Sequence, residues 1–111
     1  MINIEIERNY IGNIYRFKVE GHANSTTDDK MDAVCAIVSV ATQSVILGIT
    51  SILDIKIGLT IRDGYLKCEI PEIDDSETLG KVNILTETML LTLKQVSEEY
   101  PSYLKLSEME E

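Results

Sequence analysis

The stretch from Ala33 to Ile52 constrains the fold more than any other part of the chain. Cys35, Ser39, Thr42 and Gln43 fall at i, i+4, i+7 and i+8, one face of a helix. Around them stand Ala36, Ile37, Val38, Val40, Ala41, Val45, Ile46, Leu47, Ile49 and Ile52. A helix apolar on nearly every other side is expected at the centre of a domain, buried. Its short polar stripe marks either a solvated cleft or a set of internal hydrogen bonds. With Gln43, Ser44, Thr50 and Ser51 inside it, no window is expected to be long and apolar enough to span a bilayer.

Strand patterns flank this helix. Ile2, Ile4 and Ile6 alternate with Asn3, Glu5 and Glu7, and a turn follows at Asn9 to Asn13. Tyr15, Phe17 and Val19 then alternate with Arg16, Lys18 and Glu20, which makes a hairpin. Beyond the helix and Asp54, the alternation of Ile55, Ile57, Leu59 and Ile61 predicts a third strand. Asp63-Gly64 is a two-residue hairpin signal, and the fourth strand runs from Tyr65 to Ile70. In it Leu66, Cys68 and Ile70 share one face, so Cys68 reads as core. After an acidic loop at Pro71 to Ser76, a second helix is expected from about Glu77. Its stripe is Val82, Leu85, Met89, Leu93, Val96 and Tyr100. Pro101 stops it, a short strand covers Tyr103 to Leu106, and the acidic tail Glu108 to Glu111 is expected to fray.

The order ββαββαβ predicts an α+β two-layer sandwich, a mainly antiparallel sheet with a buried central helix. Residues 1–111 suit one domain. Alternating strands fit a sheet with one solvated face, and exposed edges in so small a sheet need covering, for which self-association is one route. The net charge of −9 argues against direct nucleic-acid binding and suits a basic partner, although an acidic surface also serves solubility alone. The start Met-Ile-Asn-Ile-Glu lacks signal-peptide character, so a cytoplasmic, reducing location is expected, with two free thiols. One histidine and two distant cysteines make no zinc site, and no metal or cofactor is expected.

Chemistry concentrates where the helix begins. His22 is the only histidine, and it lies just past the second strand. A polar loop, Asn24 to Lys30, separates it from Cys35. Asp32 can cap the helix, with Asp29 or Thr27 as alternatives, and on each of these Cys35 is placed in the first turn. A thiol there is favoured as thiolate, and a histidine within reach would serve as its base. Against this stands the reading of Cys35 as a small buried hydrophobe and of His22 as a turn residue.

These residues also carry a resemblance. Gly21-His22-Ala23 followed by Asp32-Ala33-Val34-Cys35-Ala36-Ile37-Val38-Ser39 resembles the signature of the ribosomal-processing cysteine proteases of Firmicutes and relatives, and the likeness extends over nearly the whole chain. The resemblance implies that His22 is general base and Cys35 nucleophile, with Asp32 and Ser39 supporting. It implies a homodimer acting on the N-terminal extension of ribosomal protein twenty-seven of the large subunit, with that peptide as partner and no cofactor. The loop departs from the family pattern: no glycine occurs from Asn24 to Lys30, where Asn24, Ser25 and Thr26 would contact substrate. Its polar, turn-forming composition predicts a loop that orders over bound substrate. The altered loop leaves open an alternative, a non-catalytic ribosome-associated or ribosome-assembly module with the same fold.

Overall fold

The computed structural model describes residues 1–21 and 29–111. Its elements follow the expected order. They are β1 (Ile2–Arg8), β2 (Ile14–Glu20), α1 (Asp29–Leu47), a π-helical turn (Gly48–Ile52), β3 (Gly58–Arg62), β4 (Tyr65–Glu69), α2 (Ser76–Glu99) and β5 (Leu104–Glu110). The strands form one sheet in the order β3-β4-β2-β1-β5. Three of its pairings are antiparallel, and β1 with β5 is parallel.

Alternation decides which face of the sheet is covered. Ile2, Ile4, Ile6, Phe17, Val19, Leu66 and Cys68 are buried beneath the helices. The opposite face carries ion pairs between neighbouring strands, Lys18 to Glu5 at 2.7 Å and Arg16 to Glu7 at 2.6 Å. Such partly exposed pairs add little stability, but they keep this face wet, while the buried alternation on the other face sets the strand register.

Several strand boundaries differ from the sequence reading. A register shift at Glu7/Arg8 leaves Tyr15 without a partner in β1, so Ile14 takes the core place expected of Tyr15. The third strand begins only at Gly58, because the chain leaves α1 through the π turn, where the Leu53 N–H donates to Gly48 O at 3.0 Å. Asp54 then takes a left-handed backbone, φ 56°, before the chain straightens. Most of the acidic tail lies in β5 rather than fraying. Glu108 accepts from Arg8 (3.3 Å) and Lys94 (3.1 Å), and Arg8 also donates to Glu87 of α2 at 2.9 Å. Hydrogen bonding from Lys94, ahead of that from Arg8, holds the Glu108 carboxyl below the usual carboxylate range.

α2 begins one residue before the expected Glu77. Asp75 caps it by accepting from the Thr78 N–H at 3.0 Å. Its stripe is core as expected at Val82, Met89, Leu93 and Val96, joined by Leu90 and Thr86, while Leu85 and Tyr100 are half-buried.

α1 departs most from expectation. One face is core, through Val34, Val38, Thr42, Val45 and Ile46. The opposite face is not buried among the described residues: Ile37 is 38% exposed, Val40 69% and Leu47 60%. With Ala33, Ala36 and Ser44 they form one helical stripe at spacings of three and four. Contrary to the sequence reading, Asp29–Ile52 is also long and apolar enough to cross a membrane. Its packing against the sheet and α2 gives it the role of core helix in this fold.

Candidate active site

Cys35 opens onto a cavity of about 100 Å³ between α1 and the end of the β3–β4 hairpin. Cys35, Ser39 and Gln43 form one wall, and Ile61, Arg62, Gly64 and Tyr65 the other. The floor is apolar, built from Ile2, Val19, Val38 and Leu66, all buried. The Arg62 guanidinium lies over the Tyr65 ring, 4.2 Å from its centroid, at the hairpin wall.

The polar stripe of α1 resolves into both of its expected roles. Thr42 is buried, and its hydroxyl donates to Val38 O at 2.9 Å, an internal bond that removes a polar group from the core. Gln43 Nε2 donates to Ser39 Oγ at 3.0 Å on the cleft wall. The Gln43 carbonyl and the Ser39 hydroxyl proton have no partner in that bond, so both can face a ligand.

The helix start lies earlier than Asp32. Asp29 and Lys30 belong to α1 rather than to the loop, and Asp32 is an exposed residue of the first turn, not its cap. Cys35 is thus in the second turn or beyond, and its amide lies inside the hydrogen-bonded helix. The field of the helix terminus fades within one turn, so the first-turn argument for Cys35 does not hold in this fold. Asp32 does not line the cavity, whereas Ser39 does.

His22, Asn24, Ser25 and Thr26 lie outside the described residues, as does the expected loop from Asn24 as far as Asp28. Gly21, just before His22, is described and is informative. It has φ 88°, its N–H donates to Gly64 O at 3.1 Å, and a Cβ there would stand 2.6 Å from the Met1 carbonyl oxygen. The glycine of Gly-His-Ala therefore answers two constraints, a left-handed backbone and a close approach, and it ties the end of β2 to the hairpin turn that walls the cavity.

The two thiols sit in opposite environments. Cys68 is fully buried, and desolvation pushes its thiol up to about 12. Cys35 is half-exposed on the cleft. Alkylation of the folded protein at neutral pH is expected to modify Cys35 first and leave Cys68 intact until unfolding. Peptide mapping by mass spectrometry checks this, and early modification of Cys68 would contradict the buried position. Among the described residues no group of three metal-binding side chains occurs.

Sequence reasoning placed Cys35, Ser39 and Gln43 on one face but missed Ile61, Arg62 and Tyr65 as the facing wall. The Asp63-Gly64 turn was readable, but its position across from α1 follows from β4 pairing with β2, which no local pattern encodes.

An apolar-floored cleft with one accessible thiol, on a mixed five-stranded sheet covered by two helices, fits a thiol-dependent hydrolase. Residues 1–105 match the family described as cysteine protease Prp, and the chain belongs to that family. It is 28% identical over 109 residues, 96% of each chain, to the ribosomal processing cysteine protease Prp of Bacillus subtilis. Among solved structures, a Streptococcus mutans protein superposes with TM-score 0.87 at 26% identity, covering 100% of this chain and 96% of that one. The essential ribosomal processing protease Prp of S. aureus, solved with a substrate peptide, gives 0.83 at 21% identity, covering 97% and 99%. The same S. aureus protein, solved with a covalently linked product peptide, gives 0.81 at 22% identity with the same coverage. The protein is a cysteine protease of this family.

Proposed function

We propose that this protease removes the N-terminal extension of ribosomal protein twenty-seven of the large subunit, with Cys35 as nucleophile and His22 as general base. The observation that carries this reading is the half-exposed Cys35 thiol at an apolar-floored cleft, while the other thiol is sealed in the core. The ribosomal processing role named for the B. subtilis relative supports the substrate class. The net charge of −9 favours capture of a basic ribosomal segment over direct contact with RNA.

In the acylation step, Cys35 Sγ, as thiolate, attacks the scissile carbonyl carbon. The C–N bond breaks, and the departing amine takes a proton from the His22 imidazolium. In deacylation His22 takes a proton from water as the water oxygen attacks the thioester carbon. The C–S bond breaks, the acid product leaves, and thiolate and imidazolium are restored. Ser39, with its side chain accepting from Gln43, presents a hydroxyl to the cleft as a positioning group. Asp32, in the first turn, would act through the adjoining loop. Asn24, Ser25 and Thr26 of that loop would contact substrate.

The enzyme would act in the reducing cytoplasm, where both cysteines stay free. It would act as a homodimer, because the stripe through Ile37, Val40 and Leu47 is an apolar surface that a second copy can cover.

The test is incubation of the purified chain with ribosomal protein twenty-seven from the same genome, read by intact mass. Loss of a defined N-terminal segment with wild type, and none with Cys35→Ser, is expected. Cleavage unchanged in Cys35→Ser would eliminate the nucleophile assignment. No cleavage of ribosomal protein twenty-seven, with cleavage of a different ribosomal segment, would overturn the substrate.

A further inference from the structure

The sheet has two edges, and they differ. β5 carries Lys105, Ser107, Glu108 and Glu110, and charged side chains are what guards an edge against pairing. β3, Gly58-Leu59-Thr60-Ile61-Arg62, has no proline, no bulge and no charge before its last residue. All five of its residues are exposed, Leu59 by 42% and Ile61 by 60%.

The β3–β4 register says which main-chain groups are open. Arg62 pairs with Tyr65 across the two-residue turn at Asp63-Gly64, which makes it a hydrogen-bonded pair. Hydrogen-bonded and non-hydrogen-bonded pairs alternate, so Thr60 and Gly58 also bond to β4. The N–H and C=O of Leu59 and Ile61 therefore point away from β4, toward the free edge. Among the described residues nothing pairs with them. The side chains of Leu59 and Ile61 share the helix-side face with their partners Cys68 and Leu66. Ile61 and Arg62 also line the Cys35 cavity.

We infer that one flank of the peptide substrate binds as a sixth strand on the free edge of β3, bonded to the main chain of Leu59 and Ile61, and runs from there into the Cys35 cleft. The inference rests on the assignment of Cys35 as nucleophile, because it is the continuity of the edge with that cavity that selects a substrate over other occupants. Strand addition supplies affinity through main-chain bonds, independent of side-chain sequence. Alternate substrate side chains would then face Leu59 and Ile61, and the apolar floor would receive the residue that enters the cleft.

The probe is a synthetic peptide spanning the N-terminal extension of ribosomal protein twenty-seven. Leu59→Pro deletes an edge N–H without touching the ladder to β4, a position where proline is tolerated. Leu59→Ala controls for the lost side chain. Leu59→Pro is expected to lower kcat/KM about tenfold below Leu59→Ala, mainly through KM. Amide-to-ester replacement along the peptide should lower kcat/KM at every second residue of one flank only. The ester scan uses wild-type enzyme, so it decides the matter even if Leu59→Pro fails to fold. Equal rates for Leu59→Pro and Leu59→Ala, or an ester scan without alternation, would overturn the inference. So would conversion of a dimer to a monomer by Leu59→Pro with unchanged kcat/KM, since a second copy would then occupy the edge. The same variants and esters are read in Kd on the Cys35→Ser background. Absence of cleavage would then count against the proposed substrate, while alternation in Kd still decides the edge.

Discussion

Replacing Cys35 by Ser or His22 by Ala is expected to abolish most peptide cleavage while the fold persists. Ser is nearly isosteric with Cys, but its hydroxyl stays protonated at neutral pH and is a far poorer nucleophile. Cys35 is only half-buried, so the substitution leaves no cavity and no buried unpaired group. Thermal unfolding of Cys35→Ser should therefore match wild type, while kcat/KM falls by a factor of about a thousand or more. His22→Ala should fall by a comparable factor, because without a proton carrier neither attack nor departure of the amine proceeds. The double variant should be scarcely worse than either single one, since groups acting as one unit lose their function together. The measurement is a double-mutant cycle in kcat/KM on one peptide. Losses that multiply would show that the two residues act separately, and the dyad would have to be abandoned.

Gly21→Ala is expected to produce the largest stability change of any single-methyl insertion in the turn regions. An L-residue at φ 88° is strained, and its Cβ would lie 2.6 Å from the Met1 carbonyl oxygen, a backbone atom that cannot swing aside. The two costs together come to about 2–4 kcal/mol. Gly12 separates them. Its φ is 93°, but nothing lies within 4 Å of a Cβ there. Gly12→Ala should thus show the conformational cost alone, about 1–2 kcal/mol. Urea unfolding of both variants checks the difference. Gly21→Ala should also reduce cleavage by the folded fraction, because relief of the clash must move either the β1 start or the backbone leading into His22. A Gly21→Ala protein as stable as Gly12→Ala would show that Met1 yields freely and that the close approach does not matter.

The sequence by itself determined the elements and most of the core. Period-two alternation placed Ile2, Ile4, Ile6, Phe17 and Val19 on one face because each strand has only two faces to offer. The stripe of Val82, Met89, Leu93 and Val96 was legible for the corresponding helical reason, and Cys68 read as core from the face it shares with Leu66. The motif around His22 and Cys35 was legible as a family signature, and the family is confirmed by the match over residues 1–105.

What depends on contacts between distant segments was decided only by the tertiary structure. The bulge that exchanges Tyr15 for Ile14 arises from the pairing of β2 with β1, not from the β2 sequence. The acidic tail became a strand because it pairs in parallel with β1, at the other end of the chain, from Ile2 with Leu104 to Arg8 with Glu110. α1 is apolar nearly all round, yet a sheet and one further helix can cover only part of its circumference, so Ile37, Val40 and Leu47 remain exposed. The wall facing Cys35 comes from a hairpin that β4 carries to the far side of β2, and periodicity in α1 holds no information about it. Local pattern fixes which side of an element is buried, because that is a property of one segment. Which element meets which is a property of the sheet order, and the cleft lies where α1 and the end of β3 meet.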